Sequence, residues 1–320
     1  NNDAVVSTVG TGDITGDAVR AIAISSSAAT TTLQTVGGAI TLTANRGGAA
    51  VTGDFTGISI DAAIVTATTG NISLDGRSGD TDTTNRGIAL TSVTVVSTTG
   101  AGSGTITFDG DGVSGGGDGI FIDGTGTQVT SVDGNIILTG DTDDEEGVGI
   151  QNDAAVVSTG TALITINGTA NTASASDGVE IRGGSITSGA GDILITGFSL
   201  GDDGIDLENG GVVASTGTAS ITINGTTTGG NGPGSDGISI HDTDTQISSS
   251  GGSISLTGIA SGVTAGDGVE IEPGVTLAID ANGAADLTVT GTGDGVDVGV
   301  QIDSPISSET GFVTIRSEDG

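Results

Sequence analysis

Aliphatic residues in this chain fall at alternate positions in short runs, and the runs recur. A Gly- or Ala-led apolar triplet starts at Ala21, Gly57, Gly87, Gly119, Gly149, Gly178, Gly204, Gly237, Gly268 and Gly299, as in Gly57-Ile58-Ser59-Ile60-Asp61. Alternation with a period of two marks a strand with one buried face, and no stretch carries a helical period. A second run follows in Ala63-Ile64-Val65-Thr66, Ala155-Val156-Val157-Ser158 and Gly211-Val212-Val213-Ala214. A third follows in Asn71-Ile72-Ser73-Leu74, Thr105-Ile106-Thr107-Phe108, Asn135-Ile136-Ile137-Leu138, Ser220-Ile221-Thr222-Ile223 and Ser253-Ile254-Ser255-Leu256. The ten starts are about 31 residues apart on average, room for three strands and three turns. Units of this length, each burying its apolar face only against its neighbours, build a solenoid. The pattern therefore predicts an all-β fold, a right-handed parallel β-helix of about ten coils with three short strands per coil. Residues 1–320 are expected to form a single continuous β-solenoid, a rod roughly 48 Å long at about 4.8 Å per coil.

Turn signals punctuate the strands. Asp-Gly precedes the first strand at Asp118, Asp177, Asp203, Asp236 and Asp267, and Asp75-Gly76, Asn167-Gly168 and Asn224-Gly225 follow the third. Glycine is expected to take positive φ there, with Asp or Asn bonding a nearby backbone amide. Coil length varies most at 109–117 and 141–147, which read as loops.

Charge changes the picture more than composition does. Forty carboxylates face six basic residues, all arginine, for a formal charge of -34. Nucleic acid and anionic membrane are repelled by such a chain. It has no Lys, Cys or Met, which removes the P-loop lysine, the Schiff base, the thiol nucleophile and the disulfide. Inertness of that kind suits an extracellular or cell-surface polymer. No apolar run is long enough to insert in a membrane.

The strings Gly38-Ala39-Ile40-Thr41-Leu42-Thr43, Gly70-Asn71-Ile72-Ser73-Leu74 and Gly252-Ser253-Ile254-Ser255-Leu256 resemble repeats of large bacterial surface proteins of the filamentous haemagglutinin and autotransporter-passenger kind. The resemblance spans the whole chain and implies a secreted β-helical adhesin or fibre. These coils are longer than that family's repeats. Asp3-Ala4-Val5-Val6-Ser7-Thr8 also nearly repeats Asp153-Ala154-Ala155-Val156-Val157-Ser158-Thr159, so the chain is expected to start in mid-coil, and to end in one after Phe312-Val313-Thr314-Ile315. A segment of a longer solenoid, or a subunit stacked end to end, is the expected context. Its partners are then copies of itself or adjoining repeats, with surface glycans as partners of an adhesin stalk.

Candidate chemistry lies on the outward positions of the first strand. Asp206, Glu208, His241, Glu270 and Glu272 form an acidic face, with Arg182, Glu208, His241 and Glu272 successive in one column. A histidine between carboxylates can act as acid or base, and a polysaccharide-active β-helix enzyme would use this face. Interleaved opposite charges explain the column as well. With no Trp or Tyr to hold a sugar, no catalytic residue is assigned. No cofactor is required. Ca²⁺ is the cation the acidic runs would take, with Asp109, Asp111, Asp141, Asp143, Asp144 and Glu146 the densest oxygen donors. Thr-x-Thr strings would suit ice binding only in a regular array, and the outward positions vary. Asn71, Asn167 and Asn224 stand in glycosylation acceptor triplets.

Overall fold

A chain whose apolar residues alternate can bury them only if every strand turns the same face inward, and a stack of coils does this with local connections alone. The computed structural model describes residues 4–26, 31–47, 51–82, 84–113, 117–172, 176–229, 234–262, 266–275, 279–283, 285–295 and 297–319. Among them are thirty-two strands and no helix. The strands form three sheets of ten, eleven and eleven members. Within each sheet every strand pairs in parallel with its equivalents in the adjacent coils, so the described residues form a three-sided β-solenoid of about ten turns. The ten-membered sheet holds the first strands (Ile58–Asp61, Val179–Arg182), and the other two hold the second (Ala63–Ala67, Ala155–Ser158) and the third (Ile72–Arg77, Ile164–Ala170).

Register places like on like. Ile106 pairs with Ile72 and Ile136, and Phe108 with Leu74 and Leu138. Ile205 pairs with Val179 and Ile238. These columns of Ile, Leu and Val make one continuous core, much of it with no solvent exposure at all. Hydroxyls turn the corners. At the end of the second strand Thr35, Thr98, Ser131, Ser158, Ser188, Ser215 and Ser249 are all buried. Ser131 and Ser188 donate to the carbonyls of Gly134 and Gly191, and Thr98 bonds Ser131 at 2.8 Å. Ser131 and Ser188 thus occupy aliphatic-sized places while satisfying a carbonyl that the bend exposes, whereas the Ser158 and Ser215 hydroxyls are buried without a partner.

Three local expectations are corrected. First, the repeat in the fifth coil starts at Gly147, because Val148 pairs with Ile120 and with Val179. Gly149 and Gln151 therefore occupy the outward columns of that coil. Second, Gly76, Gly168 and Gly225 lie inside strands and do not have positive φ. Neither do Gly119, Gly178, Gly204, Gly237 and Gly268. Two glycine columns instead face each other where the third strand passes the start of the next first strand. A Cβ added at Gly225 would lie 1.8 Å from the Gly237 carbonyl oxygen, and one at Gly237 2.2 Å from the Ile259 amide nitrogen. Close backbone approach, not a turn, demands glycine. The left-handed corner lies between first and second strands, at Ala62, Val93, Asn152, Asn209 and Asp242 among others. Third, much of 109–117 and 141–147 is not loop. Asp109 and Asp111 belong to the strand Ile106–Gly112, and Asp141 to Ile136–Thr142. Gly115 and Gly116, part of a glycine-rich string before Asp118, lie outside the described residues.

Candidate functional site

The residue before each first strand occupies a column of its own. The amide of the following glycine donates to the carbonyl of the equivalent residue one coil on, as from Gly119 to Glu146, Gly147 to Asp177, Gly178 to Asp203, Gly204 to Asp236 and Gly237 to Asp267. Six successive coils thus stack Asp118, Glu146, Asp177, Asp203, Asp236 and Asp267. The five aspartates are buried and Glu146 is half-buried. Asp118 is 3% exposed, Asp236 2% and Asp267 7%. An isolated carboxylate would not tolerate this, so each must find donors.

Backbone amides supply them. The Asp203 amide donates to Asp177 Oδ1 at 2.9 Å, Asp236 to Asp203 Oδ1 at 2.6 Å, Asp267 to Asp236 Oδ1 at 2.6 Å and Val298 to Asp267 Oδ1 at 2.9 Å. Each side chain therefore ties its coil to the next. At the head of the column Arg86 donates through Nε to Asp118 Oδ2 at 2.9 Å and lies 3.8 Å over the Phe121 ring.

The adjoining outward column adds Glu180, Asp206 and Glu270. Glu180 is buried against Gln151 and Arg182, and Arg182 also reaches Glu208. Burial, with neighbouring carboxylates assisting, raises Glu146, Glu180 and Asp236 to about 8 and Asp267 to about 6. Asp118, Asp177, Asp203 and Asp206 are raised for the same leading reason. The column is partly protonated at neutral pH, and the charge the molecule carries is smaller in magnitude than the formal -34.

Of the acidic face read from the sequence, the structure brings Asp206, Glu208 and His241 together. His241 Nε2 lies 2.9 Å from Asp206 Oδ1 and 3.8 Å from Glu208 Oε2, and Nδ1 lies 3.6 Å from Asp242 Oδ2. Asp242 reaches the ring because its φ of 66° breaks the pleat. The hydrogen bond to Asp206 pushes the imidazole up to about 9. It is a cation at neutral pH, which makes it an ion-pair centre and a poor general base. Glu270 turns instead to Asp236 and to Gln301, whose Nε2 donates at 2.8 Å. Glu272 is exposed, apart from the histidine cluster.

Of the six acidic residues read as oxygen donors for Ca²⁺, Asp109, Asp111, Asp141 and Asp143 lie near one another, with Asp111 opposite Asp141 in register. Arg46 bridges Asp75, Asp109 and Asp111, and Arg77 Nε donates to Asp111 at 2.6 Å. Asp141 accepts from Asn171 Nδ2 at 2.9 Å, and the Asp143 amide donates to the Gly112 carbonyl. Asp144 is half-buried beside them, its carbonyl accepting from the Ser176 hydroxyl. Glu146 alone joins the column. Among the described residues, the all-carboxylate groups that approach closely enough to share a cation are Asp118, Glu145 and Glu146, then Glu146, Asp177 and Glu180, then Asp177, Asp202 and Asp203. All are oxygen donors of the class calcium takes, although Asp177 and Asp203 already spend one oxygen each on a backbone amide. The buried column escaped the sequence reading because Asp-Gly is locally a turn signal. Its recurrence at one fixed place before each first strand was the sign available.

Comparison with protein-family models, with curated proteins and with solved structures finds no match to this chain, so the reading of its function rests on the coils themselves.

Proposed function

We propose that this chain is a non-enzymatic structural element of an extracellular or cell-surface fibre, in which its coils are continued by further coils of the same or another chain. The supporting observation is the stacking itself. Among the described residues every column of strands runs in parallel register from coil to coil over one continuous apolar core, so the same pairing can be repeated by further coils.

Chemical inertness, the lack of Trp and Tyr and the charged state of His241 favour a scaffold over a glycan-cleaving enzyme. The finer kinship with haemagglutinin-like fibres belongs to the same proposal, carried by the Gly-punctuated strand strings alone. Calcium bridging of the carboxylate column would strengthen such a fibre without being needed for the fold. Electron microscopy of the native assembly tests the reading. Filaments of constant width with a repeat along the axis support it, and discrete globules, or cleavage of a polysaccharide by the purified chain, would remove it.

A further inference from the structure

The charges of this molecule are sorted by face. Acidic side chains line the first-strand sheet and its flanking turns, and the third-strand sheet carries Asp75, Asp109, Asp111 and Asp141 on its outer surface. The second-strand sheet differs. Nine consecutive strands, from Val5–Ser7 through Thr31–Thr35, Ala63–Ala67, Val95–Thr98, Gln128–Ser131, Ala155–Ser158, Ser185–Ser188 and Val212–Ser215 to Gln246–Ser249, contain no ionisable residue. The next strand, Ile279–Ala281, brings the first carboxylate, Asp280.

The outer positions of these strands form two straight columns. One runs Ile64, Val95, Gln128, Ala155, Ser185, Val212 and Gln246, and the other Thr66, Ser97, Thr130, Val157, Thr187, Ala214 and Ser248. Most are half-exposed, and several are aliphatic where a solvated strand face would carry charge.

We propose that this face is where a second copy of the chain packs sideways, sheet against sheet. The charge distribution selects the occupant. Two copies of a chain with forty carboxylates repel most strongly through the other sides, whereas back-to-back contact here leaves the acidic sheets pointing away and brings only corner carboxylates such as Asp133, Asp153 and Asp244 near its edges, where salt screens them over about 8 Å. The face is about 38 Å long and 13 Å wide, near 500 Å² per copy. A pair would bury about 1,000 Å², the lower bound for a specific contact, so a single segment associates weakly and a long fibre, repeating the contact, associates firmly. The inference rests on the fibre reading for its setting, and its test separates the two.

Small-angle scattering on the intact chain, at low and high salt, reads length and cross-section independently. The expected result is a doubling of mass at high salt, with the cross-section widened by about 10 Å and the length unchanged. The triple variant Thr130→Glu, Val157→Glu, Thr187→Glu should lose this pairing by at least tenfold, with an unchanged circular dichroism spectrum. A matching triple on the third-strand sheet, Thr165→Glu, Thr196→Glu, Thr222→Glu, should pair as the parent does. Should the first variant fold poorly, Thr130→Lys with Thr187→Lys, mixed with Thr130→Glu with Thr187→Glu, gives the same answer through restored pairing in the mixture alone. A parent chain that stays single at both salts overturns the proposal. So does pairing that glutamates on this face leave intact, or pairing that needs an added neutral polysaccharide. Growth in length alone overturns it too, while leaving the end-to-end fibre standing.

Discussion

Replacing Gly225 by alanine separates two explanations for the glycines of the third strand. If Gly225 were a turn residue with positive φ, alanine would cost about 1 kcal/mol, as expected at Gly210, whose φ is 82° and whose added Cβ would meet nothing closer than 3.9 Å. The structure instead puts the new methyl 1.8 Å from the Gly237 carbonyl oxygen, about 1.5 Å inside ordinary contact. Neither backbone is free to yield. The Gly237 carbonyl accepts from Ile205, and the Gly237 amide donates to the Asp267 carbonyl at 2.9 Å. Relief means breaking two or three such buried bonds at about 1 to 3 kcal/mol each, so Gly225→Ala should cost about 4 kcal/mol or more. Urea unfolding followed by circular dichroism gives the loss, and amide exchange around Gly225 and Gly237 shows whether it is local to that corner. A loss near 1 kcal/mol, equal to that of Gly210→Ala, would refute the close-approach argument.

Two further outcomes follow from the core and the carboxylate column. Phe108 is fully buried between Leu74 and Leu138 of the adjacent coils, so Phe108→Ala should cost about 3 to 5 kcal/mol, and Phe198→Ala, at a half-buried outward position, should cost clearly less by the same urea measurement. The folded chain holds more protons than the unfolded chain between the ordinary carboxylate value of about 4 and the raised values of about 6 for Asp267 and about 8 for Glu146, Glu180 and Asp236. That contribution is complete below pH 4 or so and is lost as pH rises through 6 to 8, and His241, raised to about 9, acts in the same sense. The melting temperature should therefore fall steadily from about pH 6 to pH 9, and a rise over that range would contradict the burial of the column.

The strands were legible because alternation is enforced by burial. Ile58 and Ile60 have to point inward wherever the chain goes, so their spacing alone reveals the sheet. Register was legible except where two glycines offer the same pattern. Gly147-Val148-Gly149-Ile150 can be read from either glycine, and only the pairing of Val148 with Ile120 decides. The glycine columns were misread because Asn224-Gly225 looks locally like a turn, while the cause lies twelve residues away in Gly237. The carboxylate column was visible as a repeat but not as a buried one. A side-chain rule places aspartate in water, and what overrides it is a backbone amide from the next coil, which no local window contains. The neutral second-strand face, by contrast, was written plainly in residues such as Gln128 to Ser131 and Ser185 to Ser188, once the fold showed that they stack.

The central claim is that successive coils stack one strand spacing apart along the whole chain, and spin-label distances test it most directly. The chain has no cysteine, so pairs of introduced cysteines carry labels at chosen sites only. Thr107, Thr165, Thr222 and Thr288 occupy one outward column, each two coils from the next. Backbone separations from Thr107 should rise linearly, to about 10, 19 and 29 Å at Thr165, Thr222 and Thr288. Distances that level off or shorten along the series would mean that the chain folds back on itself, and the stacked solenoid would have to be abandoned.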